Sequence, residues 1–425
     1  MDHFSYKSGA LHAEDVPLEA IAADVGTPVY VYSTATLKRH FRVFSEAFGA
    51  LDALVCYAVK ANSNQAVLKT LAGEGAGADV VSLGELKRAL MAGIPGERIV
   101  FSGVGKTREE MAAGLKARIK QFNLESEAEL ETLDQVAGEL GLVAPVSVRV
   151  NPDVDARTHA KISTGKSENK FGIAWSKVGG VYARIAALKN VEAVGVDLHI
   201  GSQLTDLAPF KTAFEKVIGL VKDLRAQGHA IRHIDLGGGL GIPYDPDVAA
   251  PPPPSAYGDM VSDVLGDLDC SIILEPGRLI AGNAGLLLTR MVYEKQGEGR
   301  TFYIVDAAMN DLSRPAMYDA YHAIVPVIKA KPEAGFKADF VGPICESSDI
   351  FAKDRATAKL RPGDLVAIKS AGAYGAVMAS TYNSRPLVPE VLVNGADYAV
   401  VRRRQSLEEL LSLDETPSWL SEDSP

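Results

Sequence analysis

From about residue 54 to 276 the chain alternates short apolar, β-branched runs with longer stretches that mix Leu, Ala, Glu and Lys at helical spacing. Eight apolar runs stand out: 54–60, 78–82, 98–102, 119–124, 145–150, 193–200, 231–236 and 271–275. Segments such as 83–93 and 126–140 between them read as amphipathic helices, several opening after a Ser or Asn suited to capping. Repeated strand–helix units predict a parallel sheet, and eight of them predict a (β/α)8 barrel of the TIM type. After about residue 283 the helical period nearly vanishes. Strand-like runs replace it at 286–293, 301–305, 323–328, 365–369, 388–393 and 398–403. The expected architecture is α/β plus all-β: a barrel over 28–282, with 1–27 and 283–425 forming a second domain of β-barrel or sandwich type. A chain of 425 residues exceeds what one core usually organises, in keeping with two domains.

A barrel gathers its chemistry at the C-terminal ends of its strands. Lys60, Asp79, His199, the run Gly237, Gly238 and Gly239, and Glu275 all fall at or just past such ends. Lys60 delivers an amine into the expected barrel mouth, where desolvation would favour the neutral, nucleophilic form; an edge lysine reaching out to solvent is equally open on position alone. The glycine run follows the seventh strand, where barrels often hold a phosphate on backbone N–H groups. A dinucleotide fingerprint fails, because Ile242 stands where its last glycine belongs. Glu275-Pro276-Gly277-Arg278 ends the eighth strand with an acid and a base, and a carboxylate suits the nitrogen of a pyridine ring used as an electron sink. His199 is either a core histidine or a flat surface for such a ring. Together these groups describe a pyridoxal-phosphate site, with no metal ligand cluster in competition.

Composition narrows the field further. The 54 acids outweigh 44 Lys and Arg for a net charge of -10, and no basic stretch stands out, so nucleic acid is a poor partner. No run of about 18 apolar residues suggests a membrane span, and the first 20 residues lack the features of a secretory signal, so a cytoplasmic protein is expected. Cys56, Cys270 and Cys345 are too few and too scattered for a disulfide framework or a zinc site.

On these motifs the sequence resembles the barrel-type pyridoxal-phosphate decarboxylases, which include the ornithine, arginine and diaminopimelate decarboxylases and are related to alanine racemase. Tyr57-Ala58-Val59-Lys60-Ala61-Asn62 is similar to the family's Schiff-base motif. His199-Ile200-Gly201-Ser202-Gln203 is similar to its ring-stacking motif and brings in Ser202. The glycine run resembles the phosphate loop, and Glu275, Gly277 and Arg278 the strand-eight motif. Within the family, Gly342-Pro343-Ile344-Cys345-Glu346-Ser347-Ser348-Asp349 and Asp311-Leu312-Ser313-Arg314-Pro315-Ala316-Met317-Tyr318 look like the diaminopimelate branch. The resemblance implies that Arg278, Arg314 and Tyr318 hold a distal substrate carboxylate, which agrees with the preference of an anion for arginine. It implies that Glu346 binds a substrate ammonium, that Cys345 returns a proton to carbon, and that Tyr374 lies near phosphate and substrate. It further implies a homodimer in which the Cys-Glu pair serves the partner's site, and a loop around 155–172, including Thr164-Gly165 and Lys170-Phe171-Gly172, that covers the site. The expected reaction is decarboxylation of meso-2,6-diaminopimelate to L-lysine. The alternatives are a sister decarboxylase for carboxynorspermidine, ornithine or arginine, a racemase, and a non-catalytic cofactor binder.

Overall fold

The structure is a computed structural model that describes residues 2–154, 170–266 and 268–420. The expected loop around 155–172 falls mostly outside the described residues, Thr164 and Gly165 included. The chain divides into two compact units, one of Asp2 with Thr34–Ala284, the other of His3–Ser33 with the residues from Gly285 onward.

Among the described residues of the first unit, eight parallel strands close into a barrel: Ala53–Ala58, Gly77–Val80, Ile99–Phe101, Gln121–Leu124, Ala144–Asn151, Val191–Asp197, His233–Asp235 and Ser271–Leu274, which pairs back onto the first. All eight predicted runs are strands. The strands of the barrel bury both apolar and polar side chains. Cys56, Val100 and Ile273 form an apolar cluster within it, whereas Gln121, Asn123, Ser147, Asp197 and Asp235 put buried polar groups on strand residues. Burying so many polar atoms is costly unless they are paired or used.

The helices between strands are fixed by their ends as much as by their faces. The Ser82 side chain accepts from the Glu85 N–H before Leu83–Met91, Ser126 accepts from Glu129 before Glu127–Leu140, and Asn64 from Ala66 before Gln65–Ala72. Each satisfies a backbone donor that the first turn leaves unpaired. Ala208–Ala226 buries Phe210, Ala213, Phe214, Val217, Val221 and Leu224, a stripe at helical spacing.

The second unit is built on a strand of unusual length. Gly285–Gly297 pairs antiparallel with Val29–Ser33 near its start, with Leu365–Ile368 in its middle and with Arg300–Val305 at its far end. Glu390–Asn394 lies parallel to Val29–Ser33 and forms a hairpin with Asp397–Arg402. Leu286, Leu288, Val31, Val391 and Val393 pack with Phe4, Leu11, Leu18 and Ile21 into this unit's core. The expected boundary at residue 28 differs from this division. Val-Tyr-Val-Tyr-Ser at 29–33 is buried throughout and belongs to the β unit, because both its edges are taken by strands from the C-terminal part. Lys337–Val341 and Ile350–Ala356 are further strands that periodicity did not reveal.

Candidate active site

Lys60 stands on a single 3-10 turn, Val59–Ala61, immediately after the first barrel strand. Its Nζ lies 2.7 Å from Oδ2 of Asp79, the third residue of the neighbouring strand. Asp79 is fully buried, while the Lys60 side chain keeps about a third of its exposure, 37%. The amine is thus anchored by a buried carboxylate while its side chain stays partly exposed.

The glycine run is dictated by crowding. The Gly237 and Gly239 backbones adopt φ of 64° and 112°, conformations that favour glycine. A Cβ at Gly238 would sit 2.3 Å from the Glu275 carbonyl oxygen, and one at Gly239 would sit 2.4 Å from that of Gly201. The run is sewn to the 199–204 loop: the Leu204 N–H donates to the Gly239 carbonyl and the Gly241 N–H to the Leu204 carbonyl, each at 2.9 Å. Gln203 clamps Ile242 from both sides, donating to its carbonyl at 2.7 Å and accepting from its N–H at 3.2 Å. This makes a rigid backbone cradle with no side chains in it.

His199 and Arg278 flank that cradle. The Gly238 N–H donates to His199 Nδ1 at 3.3 Å, so Nδ1 carries a lone pair. Burial, with Arg149 and Lys60 nearby, holds the His199 pKa well below its ordinary value, so the ring is neutral and flat. Arg278 is buried; it donates from Nη1 to the Tyr244 hydroxyl at 2.7 Å and from Nη2 to Ser202 Oγ at 3.1 Å. Gly277 precedes it because a Cβ there would meet Ala61 and Ala58 at 2.9 and 3.0 Å.

Beneath lies an acid cluster not evident from the sequence. Asp197, Asp235 and Glu275 each bring a carboxylate oxygen within 4.8 Å of the others, all buried. Burial, followed by the charges of Asp235, Asp79 and Asp197, pushes Glu275 well above the carboxylate range. Asp235 is pushed up to about 6 by burial, restrained by the Gly237 N–H and by Asn123. The cluster cannot be fully ionised without a nearby cation. Arg149 meets part of that demand, 2.7 Å from Glu125 and 4.0 Å from Asp197, with its guanidinium 4.9 Å from the Phe171 ring centre.

The barrel mouth therefore brings together Lys60, Asp79, His199, Ser202, Gly237, Gly238, Gly239, Glu275, Gly277 and Arg278. Its donor set fits pyridoxal phosphate. The cradle that a Cβ would fill, with Arg278 and Ser202, suits a dianionic phosphate; the buried Glu275, whose negative charge is disfavoured by burial and by neighbouring acids, suits a protonated pyridine nitrogen; Lys60 offers an amine. Sequence reasoning missed Asp197, Asp235 and Tyr244, and gave Gln203 no role of its own within its motif. The first two lie within the predicted strand runs, and parallel pairing of the sixth and seventh barrel strands sets them side by side.

The remaining predicted residues lie in the second unit. Arg314 opens the helix Arg314–Tyr318 and is buried, with Tyr318 half-buried at its end. Cys345 and Glu346 are exposed on a turn organised by Asp349, whose carboxylate accepts the N–H groups of Met309 at 2.7 Å and Ile344 at 2.8 Å. The Tyr382 hydroxyl donates to Glu346 at 2.7 Å. Tyr374 holds a positive φ of 55°, uncommon for a residue with a side chain and a mark of a constrained loop.

Residues 34–282 match the family model described as the pyridoxal-binding domain of pyridoxal-dependent decarboxylases. The diaminopimelate decarboxylase of Zymomonas mobilis is 51% identical over 420 residues, 98% of this chain and 99% of the relative. That of Pseudomonas aeruginosa is 52% identical over 410 residues, 96% of this chain and 98% of the relative. The crystal structure of Helicobacter pylori diaminopimelate decarboxylase complexed with L-lysine superposes with a TM-score of 0.90 at 43% identity, covering 93% of this chain and 98% of that one. With near-full-length identity and the same fold, the chain belongs to the diaminopimelate decarboxylase family of pyridoxal-dependent enzymes.

Proposed function

We propose that this protein removes one carboxylate from meso-2,6-diaminopimelate, giving L-lysine and carbon dioxide in the last step of lysine biosynthesis, and that it does so as a cytoplasmic homodimer with shared sites. The observation that carries the reading is the barrel mouth, where an anchored amine, a side-chain-free phosphate cradle and a buried acid whose negative charge is disfavoured converge on strand ends. Bound pyridoxal phosphate supplies an electron sink that stabilises negative charge at the carbon losing its carboxylate.

The chain's own residues supply the rest. Lys60 Nζ is the attachment point, and Asp79 keeps that amine aimed from the strand beside it. The Gly239 N–H, Ser202 and Arg278 would hold the phosphate, the Gly237 and Gly238 N–H groups being given to Asp235 and His199, and His199, uncharged, would cover the ring face without adding charge that competes with the sink. Glu275 would keep the proton on the pyridine nitrogen; Asp235 and Asp197 behind it raise the cost of an uncompensated negative charge and so favour a cationic ring.

Substrate choice falls to the second unit. Ornithine ends in an ammonium, diaminopimelate in a second amino-acid head bearing a carboxylate. Arg314 with Tyr318 suits that carboxylate and Glu346 the accompanying ammonium. Cys345 would return the proton to carbon after carbon dioxide leaves, and Tyr374 would line the substrate space. The exposure of Cys345 and Glu346 in the single chain supports their use by a partner copy. Specificity constants for meso-diaminopimelate, ornithine and arginine test the assignment: a preference for diaminopimelate that Arg314→Ala largely removes is expected, and equal use of all three would overturn it.

A further inference from the structure

Arg314 is held by a buried neighbour. Its Nη1 lies 2.8 Å from Nε2 of His322, a fully buried residue, and Nδ1 of the same ring lies 2.8 Å from the backbone carbonyl oxygen of Lys369. A carbonyl oxygen only accepts, so Nδ1 carries the proton; a guanidinium only donates, so Nε2 presents the lone pair. The two contacts select one tautomer of an uncharged ring. The backbone of this residue is held as firmly. Arg355 Nη1 donates to the His322 carbonyl at 3.1 Å, with its guanidinium 4.1 Å from the Tyr321 ring centre. The Lys369 N–H donates to the Ala323 carbonyl at 2.8 Å, beside the paired strands Ile324–Pro326 and Leu365–Ile368.

The choice of partner has a chemical consequence. A carboxylate at this position would orient Arg314 equally well but would cancel its charge and compete with an anionic ligand. A neutral imidazole fixes the plane of the guanidinium fork without itself cancelling the charge. We propose that His322 is a positioning residue for substrate selection, one that presents the Arg314 guanidinium to the substrate carboxylate that is retained in the product. This rests on the reading of Arg314 given above.

The test uses the cofactor-loaded enzyme and the variants His322→Asn, His322→Gln and Arg314→Ala. Asparagine places an amide where Nδ1 was, keeping the donor to Lys369 but withdrawing the acceptor from Arg314. Glutamine reaches the Nε2 position and restores the acceptor. His322→Asn is expected to raise the KM for meso-diaminopimelate about tenfold or more with kcat changed by less than about threefold, and His322→Gln to stay within about threefold of the parent in both. Inhibition by L-lysine, which keeps the carboxylate in question, should weaken in parallel in the Asn variant. Inhibition by 1,5-diaminopentane, which has no carboxylate, should not change.

Equal weakening of both inhibitors, or no difference between the Asn and Gln variants, would overturn the proposal. Should the Asn variant not fold, His322→Gln decides alone: retained discrimination between the two inhibitors supports the proposal and lost discrimination overturns it. If Arg314→Ala itself leaves KM and lysine inhibition unchanged, the carboxylate reading of Arg314 fails; if Arg314→Ala weakens both and His322→Asn does not, only the role of His322 fails.

Discussion

Gly238→Ala isolates the phosphate cradle from the rest of the chemistry. The added methyl would lie 2.3 Å from the Glu275 carbonyl oxygen and 3.2 Å from the carbonyl carbon, both in backbone at the end of the eighth strand. No side chain can swing away, so the loop must lift off that strand. The φ of Gly238 is not in the left-handed range, so the penalty is steric rather than conformational. Overpacking of this kind costs about 1–3 kcal/mol. In the cofactor-free protein the loop can relax and the cost is partly avoided; with phosphate bound, the loop must return and the cost is met in full. Cofactor affinity should therefore drop by at most about 5-fold to 150-fold, 1.4 kcal/mol being a factor of ten, and by less to the extent that the cofactor-free protein already bears part of the cost. Titration of the cofactor-free protein with pyridoxal phosphate, followed by the absorbance of the bound cofactor, measures the affinity; urea unfolding of the same protein measures whatever part of the cost appears without ligand. The two losses should sum to the overpacking cost. Parent-like values in both experiments would refute the cradle.

Lys60→Ala should abolish turnover and the absorbance of covalently attached cofactor, although phosphate-side binding persists; an active variant would remove Lys60 from its role. Asp235 is raised from about 3.9 in an unfolded chain to about 6, so between pH 4 and 6 the folded protein holds a proton that the unfolded chain has released, and stability falls as pH rises through that window by up to about 3 kcal/mol. In Asp235→Asn that contribution disappears, and the stability of the cofactor-free protein, measured by urea unfolding across pH 4 to 7, should decline less steeply than the parent's; parallel curves would show that the proton sits elsewhere. Cys345→Ala should lower kcat about 100-fold to 10,000-fold with cofactor binding intact. Mixing it with Lys60→Ala should recover about a quarter of parental activity through heterodimers with one complete site; no recovery would count against a site shared between subunits.

How much was legible beforehand follows from what each residue depends on. The eight barrel strands are local patterns of apolar residues bounded by helix caps, and these patterns alone place Lys60, His199 and Glu275 at strand ends. Val29–Ser33 is an equally apolar run, and nothing local distinguishes a barrel strand from one paired to residues 285–288 and 390–393. Lys337–Val341 and Ile350–Ala356 escaped because charged residues interrupt them and their partners lie in other strands. The acid cluster and the His322 contact are tertiary by nature: Asp197 meets Asp235 and Glu275 only when three strands distant in sequence pair side by side, and the tautomer of His322 depends on a carbonyl 47 residues away.

The central claim is a reaction, and product stoichiometry tests it most directly. The purified protein, loaded with pyridoxal phosphate and given meso-diaminopimelate, should release carbon dioxide and L-lysine in a one-to-one ratio, with ornithine and arginine left intact in parallel vessels. Carbon dioxide arising only from ornithine or arginine, or no carbon dioxide from a fully loaded protein, would contradict it.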